Sequence, residues 1–385
     1  MNIAIFMDCY PPMKNGVISS ALMLKRGLEA RGHKVVVVSV NVEGKEIKET
    51  EDTLLFPQIS LDFGSKQGFG YALINRKKLI NFLNKHNTQL IHIHTEFPVG
   101  KAGIKAAKKL GIPYVATSHT LWEQYSNYSF LLKIKPLVRT YLKNVYKKAE
   151  ILILPSLKLM DYYRKLLGEN KRIEVVPNPM DTELFLPMSE NEIIKHREKL
   201  GIARDAIVIN CTGRVGPEKR VIETFFAMAK ALKKSTNAFA LIVGDGPELE
   251  KLKKIAEKEG LSSRVIFTGF VNWEEIKLYY GISDIYVTAS TSEIDGLTPI
   301  EAALCGNAIV VRRDLAFSDK LEPGKSGFFA DTDEELADYL IKLIEDRKLL
   351  ESFKKFSPQV GRKRSIPLHA EKMEAVYIEA ISSGR

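Results

Sequence analysis

The chain of 385 residues has only three cysteines, Cys9, Cys211 and Cys305, and each lies in an apolar stretch. An odd number of cysteines argues against a disulfide framework and predicts reduced core residues of a cytoplasmic protein. None has the spacing of a zinc ligand set. No apolar run approaches the ~18–20 residues of a membrane-spanning helix. The missing features therefore disfavour a disulfide-rich, a zinc-binding and a membrane-spanning protein.

Two signals are also missing near the start of the sequence. The apolar run Asn2–Met7 has no basic region or cleavage site before it, so we expect no signal peptide. The next turn carries Gly16 near a predicted helix start but lacks Gly-x-Gly-x-x-Gly, which disfavours a dinucleotide site. A glycine at this place still allows a phosphate or a sugar to approach the backbone closely.

Acidic residues are scarce in the first half of the chain. Up to Pro177, 27 Lys and Arg stand against 14 Asp and Glu, whereas the remainder has 30 against 33. The whole formal excess of +10 thus comes from the first half. An anionic membrane surface or nucleic acid would suit this charge. Because the interleaved aromatic and glycine signatures of nucleic-acid binders are missing, we expect no nucleic acid and keep a basic nucleic-acid-binding protein as the alternative of another class.

Strand-like and helix-like patterns alternate along the first half. β-Branched and apolar runs predict the strands Asn2–Met7, Lys34–Val40, Leu90–His94, Tyr114–Thr117, Ile151–Leu154 and Ile173–Val176. The predicted helices are Ser19–Arg31, Tyr71–His86, Pro98–Leu110, Leu131–Lys148 and Leu157–Leu167. Such alternation argues for a parallel sheet with helices on both faces.

A second alternating series follows a predicted linker at Val176–Met180, where prolines interrupt regular structure. Its predicted strands are Ala206–Cys211, Ala238–Val243, Val265–Thr268, Asp284–Val287 and Ala308–Val311. Its predicted helices are Glu190–Leu200, Glu218–Lys234, Pro247–Glu259 and Glu274–Tyr280. From Asp333 the pattern predicts helix nearly to the end, with breaks near Ser357-Pro358 and Ile366-Pro367. The length suits two domains of α/β class.

The stretch Ser292–Glu301 connects a predicted strand to a helix predicted to start at Pro299 and to stop at Gly306. A turn into a helix start offers free backbone N–H groups and the positive end of the helix dipole, which suit phosphate. Glu293 and Glu301 add two carboxylates that can accept from paired sugar hydroxyls. An exposed loop and a solvated helix with two unrelated glutamates are the alternative.

A second turn carries two cations. The predicted strand Ala206–Cys211 ends in Thr212–Arg220, where Gly213 precedes Arg214 and Lys219 follows five residues later. A glycine-bearing turn with two spaced cations suits a diphosphate. The alternative is a surface turn with solvated charges.

Together, the Glu-x7-Glu spacing and the Gly-Arg-x4-Lys pattern resemble the signatures of the retaining glycosyltransferases called glycosyl transferases group 1, or family GT4. The resemblance implies the GT-B fold, in which two Rossmann-like domains face each other across a cleft. It implies an acceptor-binding domain of residues 1–177 to which a C-terminal helix within 366–385 returns, and a nucleotide-sugar-binding domain of residues 178–365. It also implies a nucleotide-sugar donor and no metal or other cofactor.

The same resemblance implies the roles of the site residues. Arg214 and Lys219 would stabilise the departing diphosphate. Glu293 would bind hydroxyls of the donor sugar, and Glu301 the ribose. His119 would lie beside the transferred sugar as a further catalytic residue. The remaining donor-binding residues implied by the family pattern are Gly16, Gly296, Leu297 and Thr298.

Two histidine-bearing segments, Ile91–Gly100 and Thr117–Tyr125, follow predicted strands, where open α/β sheets bind their ligands. They resemble the His-Thr-Glu-Phe and His-Thr-x-x-Glu-x-Tyr patterns of diacylglycerol α-glucosyltransferases. That resemblance implies UDP-glucose as donor and a lipid acceptor such as diacylglycerol. A soluble sugar, a glycan or another lipid stays an alternative acceptor, and an epimerase or phosphorylase of the same fold an alternative enzyme. A metal site at the histidines lacks a third ligand with suitable spacing, and we interpret Asp331-Thr-Asp333 as a helix cap.

The predicted helix Leu131–Lys148 has several cations, no acid and an apolar stripe. Such a helix binds an anionic membrane interface at roughly 1 kcal/mol per cation near the surface. The candidate membrane contacts are Lys133, Lys135, Arg139 and Lys143. They predict a protein held peripherally at the inner face of the cell membrane. The alternative is a domain helix whose apolar stripe lies in the core.

Overall fold

The structure, a computed structural model, describes residues 1–13, 15–41, 50–60, 70–120, 135–318 and 320–383. The chain divides into two compact units: unit 1 contains Met1–Met180 and Ser365–Arg385, and unit 2 contains Asp181–Arg364. Each unit has one largely parallel sheet with helices packed against it, which confirms the predicted α/β class. None of the described helices is both long and apolar enough to span a bilayer.

Unit 1 is built on a parallel sheet. Its described strands are β1 (Asn2–Phe6), β2 (Lys34–Asn41), β3 (Thr53–Ser60), β4 (Gly70–Ala72), β5 (Leu90–Ile93), β6 (Tyr114–Thr117), β7 (Leu152–Leu154) and β8 (Ile173–Val175). They are ordered β4-β3-β2-β1-β5-β6-β7-β8, and only the pair β3–β4 is antiparallel. In the centre, Ile3 of β1 is paired with Val35 of β2 and with Leu90 of β5. These central strands are apolar on both faces because helices cover the sheet on both sides.

The described helices of unit 1 are α1 (Gly16–Ala30), α2 (Arg76–Lys85), α3 (Pro98–Leu110), α4 (Lys135–Tyr146), α5 (Met160–Leu167) and α13 (Ile366–Ser383). The predicted helix Tyr71–His86 is wrong in its first turn, because Tyr71 belongs to the edge strand β4. The helix begins only at Arg76, where the Asn75 side chain accepts a hydrogen bond from the Lys78 amide at 3.0 Å. Strands β3 and β4 were not predicted from the sequence.

The C-terminal helix α13 belongs to unit 1, which confirms its predicted return to the first domain. It packs against α1, and a Cβ atom added to Gly27 would lie 2.8 Å from the Cβ atom of Ala370. Glycine thus allows the two helices to approach closely. One side of α13 joins the core of unit 1 through Met373, Val376 and Tyr377.

Unit 2 repeats the architecture. Its described strands are β9 (Ile207–Thr212), β10 (Ala238–Val243), β11 (Val265–Gly269), β12 (Ile285–Thr288), β13 (Ala308–Arg312) and β14 (Gly327–Ala330), ordered β11-β10-β9-β12-β13-β14. Its described α-helices are α6 (Glu190–Lys199), α7 (Val221–Lys234), α8 (Leu249–Lys258), α9 (Trp273–Gly281), α10 (Leu297–Leu304), α11 (Asp333–Glu345) and α12 (Arg347–Arg362). Every described pair of neighbouring strands in this sheet is parallel.

The break predicted near Ser357-Pro358 is wrong, because α12 continues through Pro358. Packing of α12 against α10 holds it there, and Phe353 and Val360 are buried on either side of the proline. The interruption falls instead at Asp346, whose carboxylate accepts from the Leu349 amide at 2.9 Å and caps α12. Tertiary packing thus outweighs the lost backbone donor of the proline.

The three cysteines are buried and unpaired, as predicted for core residues. Cys9 belongs to the core of unit 1, and Cys211 to the core of unit 2. Burial raises the pKa of the thiols of Cys211 and Cys305 to about 12. They are therefore protonated at neutral pH and unreactive.

Candidate active site

The site in unit 2 is formed where β9 and β12, which are neighbours in the sheet, end at the same edge. The turn after β9 carries Lys219, and the turn after β12 carries Glu293. Their side chains meet, with Lys219 Nζ 2.6 Å from Glu293 Oε1. The structure therefore brings together two predicted catalytic residues that lie 74 positions apart.

Glu293 is held by the serine-rich turn that follows β12. Ser290 Oγ donates to Glu293 Oε1 at 3.2 Å, and Ser290 Oγ also accepts from the Ser292 amide at 3.4 Å. Both Lys219 and Glu293 remain partly exposed. Because a partly exposed ion pair contributes little net stability, both charged groups can exchange this contact for a ligand at small cost.

Arg214 lies on the turn after β9 with its side chain half exposed, 3.6 Å from Glu218. The backbone of this turn is fixed by the neighbouring turn after β10: the Gly213 amide donates to Val243 O, and the Val215 amide donates to Asp245 O, both at 2.9 Å. A Cβ atom on Gly244 would lie 1.9 Å from Gly213 O. The turn that contains Gly244 thus positions the backbone of Arg214.

Helix α10 begins at Leu297, two residues before the predicted start. Gly296 precedes it with φ +58, and a Cβ atom there would lie 2.3 Å from the Phe317 ring, so only glycine fits. Leu297 and Thr298 are half-buried, and Thr298 Oγ1 lies 2.8 Å from the Tyr286 hydroxyl. The first-turn N–H groups of a helix have no partner within the helix, and in α10 they form the positive end of a dipole that starts shortly after Glu293 in the chain.

A buried charge cluster braces this turn from inside, and the sequence reading missed it. Asp295 Oδ1 lies 2.6 Å from Lys320 Nζ and 3.3 Å from Arg364 Nη1. All three side chains are almost fully buried, and the side chain of Lys320 is 0% exposed. Asp295 directly precedes Gly296, so the cluster fixes the chain between Glu293 and α10. Three residues spread over about seventy positions carry no local signal that would have revealed it.

Glu301 lies inside α10 and is 8% exposed. Its Oε2 atom accepts from the Tyr280 hydroxyl at 2.8 Å. Burial raises the pKa of this carboxyl from its usual 4.5 to about 7. At neutral pH its two protonation states therefore have similar populations, and the group can both donate to and accept from hydroxyls.

In unit 1, Gly16 opens α1 after the cap Asn15, whose side chain accepts from the Ile18 amide at 3.0 Å. Gly16 is exposed, and an added Cβ atom would meet nothing within 4 Å in the described structure. Packing within the described structure therefore does not require glycine at this helix start.

The predicted site histidine His119 follows β6 and is half buried. Its Nε2 atom lies 3.0 Å from Nδ1 of His94, which follows the neighbouring strand β5. His92, two residues earlier in the chain, is fully buried. Its Nδ1 atom lies 2.8 Å from the Tyr377 hydroxyl, and its Nε2 atom lies 2.7 Å from Thr117 Oγ1. The two segments thus meet, as their positions at strand ends predicted.

The residues after His94 have structural roles that the sequence reading did not foresee. Asp8, buried after β1, accepts from Thr95 Oγ1 at 2.6 Å and from the Val99 amide at 2.7 Å, and so caps α3. Burial raises the pKa of Asp8 above its usual value. Glu96 is buried as well and accepts from the Tyr146 hydroxyl. The His-Thr-Glu-Phe pattern therefore joins β1, α3 and α4.

The basic helix is described only in part. Lys133 lies outside the described residues, and so does the side chain of Lys135. Arg139 and Lys143 are exposed. Val138, Leu142 and Val145, which belong to the apolar stripe, are buried, so the expectation that the stripe enters a membrane is wrong for these three residues. Leu137 of the same stripe is 58% exposed.

Another surface of unit 1 combines apolar and cationic residues. A groove of about 560 Å³ runs between α2 and α3, and apolar side chains such as Leu73, Ile74 and Ile80 line it. Leu73 and Tyr71 are half exposed or more. The described cations that line this groove are Arg76, Lys101, Lys105 and Lys109, and no acid lines it among the described residues.

Asp331-Thr-Asp333 caps a helix, as interpreted from the sequence. Thr332 is the cap of α11, and its side chain accepts from the Glu335 amide at 3.1 Å. Asp333 pairs with Arg220 at 2.7 Å, and Asp331 pairs with Arg313 at 2.5 Å. Within the described parts of the chain, no group of three or more His, Cys, Asp or Glu could hold a metal ion.

Comparison with known proteins agrees with this geometry. The model of "Glycosyltransferase Family 4" matches residues 14–184, and that of "Glycosyl transferases group 1" matches residues 192–360. An alpha-monoglucosyldiacylglycerol synthase of Acholeplasma laidlawii is 30% identical over 99% of this chain and 98% of its own length. A synthase of the same name from Streptococcus pneumoniae is 32% identical over 80% of this chain and 70% of its own length.

Among solved structures, the Anabaena protein HepE in complex with UDP-glucose superposes with a TM-score of 0.73 at 19% identity, covering 98% of this chain and 99% of HepE. At this identity the likeness supports the fold alone. The two family matches and the relatives that are 30% and 32% identical support the family itself, and they confirm the resemblance found in the sequence. The chain belongs to the group 1 glycosyltransferases, family 4.

Proposed function

We propose that this glycosyltransferase moves a hexose from a nucleotide diphosphate sugar, UDP-glucose, to a hydroxyl of a lipid acceptor such as diacylglycerol, with retention at the anomeric carbon. The observation that carries the proposal is the contact of Lys219 with Glu293 beside the start of α10. The two synthases of alpha-monoglucosyldiacylglycerol support glucose as the transferred sugar and a lipid as the acceptor. HepE, which shares the fold, was solved with UDP-glucose.

Unit 2 would bind the donor. Arg214, Lys219 and the N–H groups of Gly296, Leu297 and Thr298 hold the negative charge that grows on the leaving diphosphate. These two cations and the helix dipole supply the charge that a metal ion supplies in other transferases, so the reaction would need no metal. Positive groups fixed before the reaction stabilise the transition state without reorganisation.

Two carboxylates, those of Glu293 and Glu301, would orient the donor around its diphosphate. Glu293 binds hydroxyls of the sugar after exchanging its contact with Lys219. Glu301 binds the ribose, where its half-protonated carboxyl suits a pair of hydroxyls. His119 of unit 1 lies beside the sugar, and the open helix start at Gly16 allows the donor to approach the backbone. Unit 1 would supply the acceptor site.

The chemistry follows from these contacts. The bond between the anomeric carbon and the phosphate oxygen breaks, and the acceptor oxygen bonds to the same face of the sugar. The proton of the acceptor hydroxyl passes to the leaving phosphate oxygen. Because the leaving phosphate oxygen takes this proton, the acceptor approaches on the face that the phosphate leaves, and the configuration is retained without a protein nucleophile.

The acceptor site would lie at a membrane surface. The groove between α2 and α3 suits an acyl chain, and its cationic rim suits anionic headgroups. Arg139 and Lys143, exposed on α4, extend the basic surface, and Lys133 and Lys135 precede them in the chain. Together these residues support a protein held peripherally at the inner face of the membrane.

A donor screen tests the function. The full-length protein is incubated with UDP-, GDP- and ADP-sugars, with and without diacylglycerol vesicles, and the product is analysed by NMR. We expect an α-linked glucolipid from UDP-glucose only when diacylglycerol is present. A β-linked product would contradict retention, and transfer to soluble sugars instead would favour the alternative acceptor. Pelleting with anionic liposomes against a salt-dependent gel shift separates the membrane proposal from nucleic-acid binding.

A further inference from the structure

A pair of histidines in unit 1 has a polar atom that the proposed chemistry does not use. His94 is 3% exposed, and its Nδ1 atom lies 3.0 Å from Nε2 of His119. The two rings are only 18° from parallel, as expected for a hydrogen bond in the ring plane. The other nitrogen of His94, Nε2, is buried and has no hydrogen-bond partner among the described residues.

The charge state of His94 follows from its surroundings. Burial, with smaller contributions from His92, His119 and His369, lowers the pKa of His94 well below its usual value. These neighbours are all histidines, and among the described residues no carboxylate is one of the groups that act on it. His94 is therefore neutral at physiological pH and carries a single ring proton.

Two positions are possible for that proton. On Nε2 it would create a buried N–H donor without a partner, which native structures rarely contain. On Nδ1 it lies in the hydrogen bond to His119, and only a lone pair of Nε2 stays unpaired. The second arrangement makes His94 the donor and Nε2 of His119 the acceptor.

We propose that His94 is a positioning residue, which donates its Nδ1–H to Nε2 of His119 and holds His119 in the tautomer that carries its proton on Nδ1. Its effect on turnover rests on the proposed function of His119 beside the sugar. In this tautomer, Nδ1 of His119 offers an N–H donor to an oxygen acceptor. With the opposite tautomer the same atom would offer a lone pair and would repel that oxygen.

The neighbouring residues hold His94 in place. The His92 ring lies against it, with ring centroids 4.0 Å apart. His92 is fixed in turn by Tyr377 of α13 and Thr117 of β6. A series of contacts from Tyr377 through His92 and His94 therefore connects the C-terminal helix α13 to His119.

The test is the tautomer of His119 in the full-length protein labelled with ¹⁵N-histidine, read from the ring nitrogen resonances in NMR. His119→Gln assigns the signals by removing them. We expect the native protein to show a protonated Nδ1 and a bare Nε2 at His119. His94→Leu should lose this preference and lower kcat about tenfold while the KM for donor changes little.

Two further variants sharpen the result. His94→Asn places an amide N–H at the δ position and should restore both the tautomer and most of kcat. His92→Leu, the same change two residues earlier, keeps a side chain packed against the His94 ring and leaves the His94–His119 hydrogen bond in place. It should lower stability and leave the His119 tautomer unchanged. A native His119 with its proton on Nε2, or an unchanged tautomer in His94→Leu, would overturn the proposal. Because this readout needs no turnover, it stays informative even if no donor or acceptor is found.

Discussion

The two units place their predicted site residues in opposite electrostatic surroundings. In unit 2, Lys219 and Glu293 are charged, partly exposed and paired with each other at the end of the sheet. In unit 1, His94 is buried and neutral, and it contacts the half-buried His119. Charges that water can reach are free to exchange partners, whereas a buried neutral group keeps one hydrogen-bonding state. Unit 2 is therefore suited to bind charge, and unit 1 to recognise hydroxyls.

The difference extends to what lies beneath each site. The turn of unit 2 rests on the buried ions Asp295, Lys320 and Arg364. The histidines of unit 1 rest on the neutral groups Tyr377 and Thr117. Burying a charge is favourable only with well-placed partners, so the support of unit 2 is the more sensitive to substitution.

The largest expected effect comes from breaking the charge pair of unit 2. Lys219→Ala and Glu293→Ala should each lower kcat/KM about 10²–10³-fold, because in the proposed mechanism each removes a group that contacts the transition state. Circular dichroism and thermal unfolding should stay close to the native protein. Asp331→Ala, which breaks the exposed Arg313 pair in the same unit, is the matched control and should leave turnover unchanged. Full turnover in either site variant would contradict these roles.

A second substitution tests the buried support. Lys320→Met leaves the Asp295 carboxylate without its nearest cation and should lower the free energy of unfolding by about 3 kcal/mol. Lys325→Met, five residues later, breaks an exposed pair with Glu322 and should change it by less than about 1 kcal/mol. Denaturant unfolding of both variants measures the difference. Equal effects would show that the buried cluster contributes no more than a surface pair.

The raised pKa of Glu301 predicts a pH dependence of stability. Between pH 4.5 and about 7 the unfolded chain has lost this proton and the folded chain keeps it, so the free energy of unfolding falls as pH rises through this range. The free energy of unfolding falls by up to about 3.5 kcal/mol in total, at about 1.4 kcal/mol for each pKa unit. Glu301→Gln should remove this part of the slope between pH 5 and pH 8. Glu250→Gln, on an exposed side chain, should not, and identical slopes in all three proteins would contradict the assignment.

The smallest effect concerns the basic surface of unit 1. Each of Lys101→Ala, Lys105→Ala and Lys109→Ala should weaken binding to anionic vesicles by about 1 kcal/mol, and binding to neutral vesicles should not change. The matched control replaces lysines on a helix of unit 2 at similar spacing: Lys251, Lys254 and Lys258. Vesicle pelleting measures both sets, and equal losses from the two helices would remove the distinction between the units.

Much of the fold was predictable because its signals are local. β1, β2 and β9 are apolar runs long enough to be recognised, and their predicted ends differ from the observed ends by at most one residue. β3 was missed because Pro57 and Gln58 interrupt its apolar pattern, and its pairing with β2 and β4 makes it a strand. Pro358 led to the opposite error, because it predicted a break where the helix continues. Packing against α10 keeps α12 helical there.

The candidate site also has one part that could be predicted from the sequence and one part that could not. The spacing of Glu293 and Glu301 and that of Arg214 and Lys219 were visible in the sequence, because a turn between a strand and a helix needs its glycine and its polar residues close together. The sequence by itself thus determined the family, the alternating sheets and the residues that can meet a diphosphate. Tertiary structure alone decided that Asp295 has buried cations beneath it, that Glu301 lies in a place that raises its pKa, and that His94 contacts His119. Burial and long-range contact set the charge and the proton position of these groups, and both depend on neighbours that are distant in the chain.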